Sequence, residues 1–172
     1  HLDGAADLAD GWAGGSTPED MVRIMRDSRI GAFGVIALVL LLLIKFAMIG
    51  ELLTHQLLYL LPAVTMIGRT TAVAAIRVFP SASSVGMGAA FKNSCRTSHL
   101  ASAVLFTLGV SWLLWGAAGV LLFLAVGVFM LLGCSLVSRK LKGLTGDVYG
   151  AVIEYSEVIA LILIIPLREV LQ

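Results

Sequence analysis

Charge is what this chain has least of. Of its 172 residues 13% are Asp, Glu, Lys or Arg, and twelve basic against eleven acidic residues leave a formal net charge of +1. A water-soluble globular enzyme carries a far more charged surface, so that class is excluded. A nucleic-acid binder is excluded too, because the near-balance leaves no basic footprint for phosphate backbones. Cysteine is almost as scarce. Cys95 and Cys134 lie far apart without a C-x-x-C, which removes disulfide scaffolds and zinc-ligand patterns. Polar side chains are missing altogether from residues 119–132. What fills the chain is apolar: 59% is hydrophobic and the mean hydropathy is +0.97. Counting Gly and omitting Tyr, about two thirds is apolar against about 45–50% in soluble domains. The composition therefore predicts an all-α, polytopic helical membrane bundle, and it rules out disorder.

A span of the hydrocarbon core takes about 20 residues, and five runs qualify. They are Gly31–Ile49, with Lys45 near one end and able to snorkel; about Leu57–Ile76, interrupted by Pro62 and carrying Arg69; about Leu100–Trp115; Gly119–Val137; and about Gly150–Leu167. The third and fourth are separated by Gly116, Ala117 and Ala118 alone, which predicts a tight antiparallel hairpin. Five spans sort the basic residues. Arg23, Arg26, Arg29, Arg77, Lys92, Arg96, Arg139, Lys140 and Lys142 fall on one side, and Arg168 on the other. The first side is expected to be cytoplasmic. Most charged side chains lie there, in residues 1–30 and in the 77–99 and 138–149 loops, so the chemistry is expected at that mouth.

Three clusters carry candidate chemistry. Asp3, Asp7 and Asp10 stand at i, i+4 and i+7 in HLDGAADLADG, one stripe of a helix. No Lys or Arg occurs in residues 1–22 to offset them, which predicts a cation from outside. Oxygen ligands without neighbouring Cys favour a hard divalent ion, Mg2+ above all because it binds a few carboxylates together with substrate phosphates. A solvated acidic face is the plainer reading. Thr17, Pro18 and Asp20 then spell a helix start, Thr as N-cap, Pro at N1 and Asp at N3, opening an interfacial helix to about Arg29. There Asp27 is either an i,i+4 partner of Arg23 or a further metal ligand or base, with Arg26 and Arg29 gripping phosphate. In the third cluster, GDVYGAVIEYSE, Asp147 is an N-cap or a functional acid. Glu154 and Arg69, both inside spans, either pair with each other or meet substrate. GMGAAF at 86–91 is read as a flexible loop able to approach a ligand through its backbone, and His55 and His99 as ordinary solvated histidines. Trp112 and Trp115 suit the outer interface.

With HLDGAADLADG, MRDSRIGAFG, GMGAAF and GDVYGAVIE in this order, the chain resembles the cobalamin (5'-phosphate) synthase family, the adenosylcobinamide-GDP ribazoletransferases, over essentially all 172 residues. Members carry another hydrophobic segment ahead of His-Leu-Asp-Gly. A chain that begins at His1 is therefore expected to be an N-terminally truncated single domain, residues 1–30 forming the Asp-rich active-site segment and 31–167 the bundle.

The resemblance implies a multi-pass transferase of the cell (inner) membrane whose active site faces the cytoplasm. α-Ribazole, or its 5'-phosphate, attacks adenosylcobinamide-GDP, and GMP is released late in vitamin B12 assembly. It implies Mg2+ held by Asp3, Asp7, Asp10 and Asp27. Arg26, Ser28, Arg29, Gly31 and Arg69 would bind substrate, with Arg26 and Arg29 clamping phosphate oxygens. Asp10 is also counted among the catalytic residues, and the proton acceptor is expected to be Asp27, with Asp147 and Glu154 as rivals. Asp7, Asp10 and Gly11 are also similar to the D-x-x-D-G of CDP-alcohol phosphotransferases, but Trp12, Ala13 and Gly14 depart from the continuation those enzymes carry. A lipid head-group enzyme is the second reading. A membrane transporter is a remote third, since no repeat relates the two halves of the chain. Membrane lipid is the expected surrounding, and the oligomeric state is left open.

Overall fold

The fold is taken from a computed structural model, which describes residues 1–171, and every regular element among them is a helix. Helix α1 (Leu2–Gly14) is followed by α2 (Pro18–Met25), where the expected start signal works as read: the Thr17 hydroxyl accepts the Asp20 N–H at 3.1 Å and Pro18 opens the first turn. The second helix stops at Met25, short of Arg29. Asp27 accepts the Arg29 N–H at 3.0 Å, an Asx turn that competes with helix continuation.

Helix α3 (Ala32–Thr54) is apolar nearly all round and buries Gly34, Leu41 and Leu52, as a helix does when lipid is its solvent. A single 3-10 turn, Leu58–Leu60, leads into α4 (Leu61–Val78). Pro62 lies in the first turn of α4, where its missing N–H is harmless, so it begins this span and does not interrupt it. The stretch expected as a loop up to His99 contains α5 (Met87–Ser94), so GMGAAF is mostly the start of a helix; Gly86 precedes it with φ 100°.

Helix α6 (Thr97–Leu141) folds back on itself. Trp115 and Gly116 leave helical geometry, Gly116 with φ 57° and ψ −138°, a conformation glycine adopts without strain. A Cβ on Gly119 would run into the Ser111 carbonyl, whereas eight residues along a continuous helix span about 12 Å. The chain has therefore reversed, which is the expected hairpin. Together with α7 (Gly146–Leu171), four helices among the described residues are long and apolar enough to cross a membrane, and the reversal in α6 divides one of them into two limbs.

Helices α4, α6 and α7 enclose the main core, with Ile67, Leu122, Val126, Leu144 and Ile164 fully buried. The first helix is no loose surface segment. Ala5 packs with Leu41 of α3 and with Ala151 and Val158 of α7, and Asp10 ties it down. Its buried carboxylate accepts the N–H groups of Gly31 and Gly34, both at 2.7 Å, from the first turn of α3. These donors have no partner within their own helix, and the dipole there favours an anion. Asp10→Ala should leave two N–H groups unpaired and cost about 1–3 kcal/mol; a lower midpoint in thermal unfolding of the detergent-solubilised chain would register it.

Candidate functional site

A cavity of about 590 Å³ opens where the start of α1, the end of α2, α4, the Ser81–Phe91 segment and the start of α7 meet. This is the size class of small-molecule sites. Its polar lining includes Asp3, Arg26, Arg69, Asp147 and Tyr149, and its apolar wall includes Met25, Ile76 and Phe91. The segments around it are joined below by backbone pairing: Ala82 N–H to Leu144 O at 3.0 Å and Leu144 N–H to Pro80 O at 2.9 Å. Helices α5 and α7 both begin at this cavity, since a Cβ on Gly88 would lie 3.0 Å from the Gly146 nitrogen. Two N-terminal ends, each carrying partial positive charge, thus meet at its edge.

The aspartate stripe runs from solvent into the protein, and its three members have separate fates. Asp3 is exposed, and the Gly4 N–H at 2.8 Å holds its carboxyl below the ordinary range. Asp7 is half-buried, and burial, then the charges of Asp147, Asp3 and Asp10, push it up to about 6. Asp10 is taken up by α3. Asp10, read as metal ligand and catalytic group, here caps α3, and the N–H of Gly31, read as a substrate contact, is occupied by it.

Asp27 is elsewhere. It forms a two-point pair with Arg29 at 2.9 and 3.1 Å, not the expected pair with Arg23, which binds Asp20 at 3.1 Å. The Arg29 contacts lower Asp27 to about 2, a poor value for a proton acceptor. Asp27, Ser28 and Arg29 are absent from the cavity lining, whereas Arg26 belongs to it. Among the described residues no three Asp, Glu, His or Cys side chains stand together as a ready metal site, so the expected cage of Asp3, Asp7, Asp10 and Asp27 is not formed. Asp147, from a helix 140 residues downstream of Asp7 in the chain, is the acid from another element whose charge bears on Asp7.

Helix α1 reaches α7 because residue 4 has no side chain. A Cβ there would collide with the Asp147 carbonyl. Gly4→Val is expected to push the two helices apart, lower activity by about 100-fold as misplaced groups do, and leave the remote α6 hairpin unchanged; an assay run beside hydrogen exchange of the two regions checks this.

Deeper in the bundle the charges pair differently from the expectation. Lys45 does not snorkel. Its ammonium lies 2.6 Å from Glu154 and 2.8 Å from Glu157. Arg69 meets Glu157, not Glu154, at 2.9 Å, and Glu154 does not line the cavity. A cation and two acids inside hydrocarbon are stabilised by one another more than by a long reach to the headgroups. Glu157, one turn beyond Glu154, and Lys45, a charge inside an apolar run, are the residues that sequence reasoning undervalued. Their signal was the charge itself, placed where lipid opposes it. His55 is likewise not free, since its Nδ1 accepts from Arg168 and its Nε2 lies 3.6 Å from Glu51.

The profile of the family described as Cobalamin-5-phosphate synthase matches residues 1–165. The adenosylcobinamide-GDP ribazoletransferase of Desulfitobacterium hafniense is 38% identical over 175 residues, covering 97% of this chain and 68% of that protein. The protein of the same name from Brevibacillus brevis is 34% identical, covering 96% and 68%, and that of Alkaliphilus oremlandii 40%, covering 91% and 63%. The chain thus spans about two thirds of the length of these relatives. No solved structure matches it at a significant level.

Proposed function

The chain belongs to the cobalamin-5-phosphate synthase family, and we propose that it is a multi-pass membrane transferase joining α-ribazole, or α-ribazole 5'-phosphate, to adenosylcobinamide-GDP. A ribazole hydroxyl oxygen bonds to the phosphorus attached to cobinamide, the anhydride bond to the second phosphorus breaks, and GMP leaves with the electron pair. The products are GMP and adenosylcobalamin, or its 5'-phosphate. The observation that carries the reading is the cavity, where two arginines and two helix N-termini face a group of carboxylates. Phosphoryl transfer needs this mixture: cationic groups for the charge on phosphate oxygens and a carboxylate to accept the hydroxyl proton.

Arg26 and Arg69 hold phosphate oxygens, and the starts of α5 and α7 contribute backbone N–H groups to the same charge. Asp147 takes the hydroxyl proton, because it lines the cavity while Asp27 is bound by Arg29 and Glu154 by Lys45. The apolar wall with Phe91 suits an aromatic base. The corrin ring, far larger than the cavity, stays outside it.

Asp3 and Asp7 would hold Mg2+, since they stand one helical turn apart on α1, whose Gly4 packs against the Asp147 carbonyl. An ion that takes one or two carboxylates and completes its shell with water and phosphate needs no three-acid cage. When bound it supplies neutralising charge to the phosphates. The concentration of nine basic residues on the cavity side supports a cytoplasmic active site in the inner membrane.

The test is GMP release from adenosylcobinamide-GDP and α-ribazole by the chain in vesicles, with and without Mg2+, beside the Desulfitobacterium relative as positive control. Mg2+-dependent release is expected. Turnover of a CDP-lipid in place of the corrinoid donor, or solute flux without turnover, would overturn the reading.

A further inference from the structure

The four charges shared by α3, α4 and α7 have a direction. Glu157 alone touches both cations: its Oε2 accepts from Lys45 at 2.8 Å and its Oε1 from Arg69 Nη1 at 2.9 Å. That same Nη1 donates to the Thr65 carbonyl at 2.9 Å. Among the described residues Nε and Nη2 of Arg69 make no hydrogen bond. The Arg69 side chain is 56% exposed and lines the cavity, whereas those of Glu157 and Lys45 are 14% and 18% exposed. The set is thus sealed at the lysine end and open at the arginine end.

Glu157 is the acid set against Arg69, whose own side chain is largely exposed and could be solvated without it. Lys45 and Glu154 already balance each other, and a second buried acid adds a desolvation cost unless it does something else. What Glu157 adds is a fixed Arg69. Residue 68 helps, because a Cβ there would lie 3.1 Å from Glu157 Cγ, so glycine leaves room for the carboxylate against α4. We propose that Glu157, backed by Lys45, is a positioning residue for the transfer: it ties one nitrogen of Arg69 before substrate arrives and leaves the other N–H donors for a phosphate oxygen of a nucleoside-diphosphate ester. An arginine ordered in advance loses less freedom on binding, and its fork meets the phosphate in one geometry. Glu157 itself does not line the cavity. The inference rests on the transferase reading above.

A double-mutant cycle with GMP release as readout tests it. Arg69→Ala is expected to raise KM for adenosylcobinamide-GDP by up to about 100-fold, the size of effect seen when a clamping group is lost or misplaced, and Glu157→Gln by about tenfold, with KM for α-ribazole unchanged in both. The double variant should be no worse than Arg69→Ala. Glu157→Asp keeps a carboxylate near Lys45 but withdraws it by one methylene, so it should fold, with a smaller loss of melting midpoint than Glu157→Gln, and still show the raised donor KM. Multiplying losses in the double variant, or a Glu157→Asp protein with wild-type KM, would overturn the proposal. A wild-type chain that releases no GMP beside an active relative would instead sink the transferase reading.

Discussion

Asp7→Asn should lower GMP release by roughly 100- to 1,000-fold, the loss typical when one group serving the developing charge is removed, and yet make the magnesium-free protein more stable at pH 7. Both results have one cause. The Asp7 carboxyl titrates near 6 because burial and the charges of Asp147, Asp3 and Asp10 disfavour its ionised form. An acid whose folded value lies above its ordinary 3.8 contributes stability that is complete below about pH 4 and is lost as pH rises through 6. The wild-type chain without divalent ions should therefore lose thermal stability across that window, and the Asn variant should not. A cation needs the ionised carboxylate, so Mg2+-induced stabilisation and Mg2+-dependent turnover should both fall as pH drops below about 6. Melting midpoints from pH 4 to 8, with and without Mg2+, measure all of this. An Asn variant as active as wild type would remove Asp7 from the site.

The second large effect is structural. Lys45→Met leaves Glu154 and Glu157, 10% and 14% exposed, with Arg69 as their remaining cation. Breaking a buried pair from one side costs about 3–5 kcal/mol, because the other charge stays behind. Adding Glu154→Gln restores the charge balance and leaves the Arg69–Glu157 pair intact, so the double variant should be more stable than Lys45→Met alone. Denaturant titration in mixed micelles ranks the three. Equal stability of the single and double variants would mean that water already reaches Glu154.

How far these residues were legible in the sequence differs from one to the next. The hairpin between Leu100 and Val137 was, because hydropathy and a glycine break are local properties. So was the Thr17–Pro18–Asp20 start, whose hydrogen bond closes within four residues. Asp3, Asp7 and Asp10 were correctly placed on one helix, but the fold gives the three different surroundings. The protein spends Asp10 on the first turn of α3, more than 20 residues away, and crowds Asp7 with Asp147. Arg69 and Glu154 were read as partners of each other or as substrate contacts, and the structure sets Arg69 against Glu157 and the cavity. One helical turn separates Glu154 from Glu157, and side-chain packing, not depth, selects between them.

The sequence by itself determined that the protein is a bundle of apolar helices long enough to cross a membrane, where its chain reverses and which acids are available. All of this follows from periodicity and transfer free energy, which act residue by residue. The tertiary structure decided which acids are already satisfied and which are left for a ligand. That depends on partners 20 to more than 100 residues distant, and a carboxylate becomes a helix cap, half of an ion pair or a site for a cation according to what the other helices bring beside it.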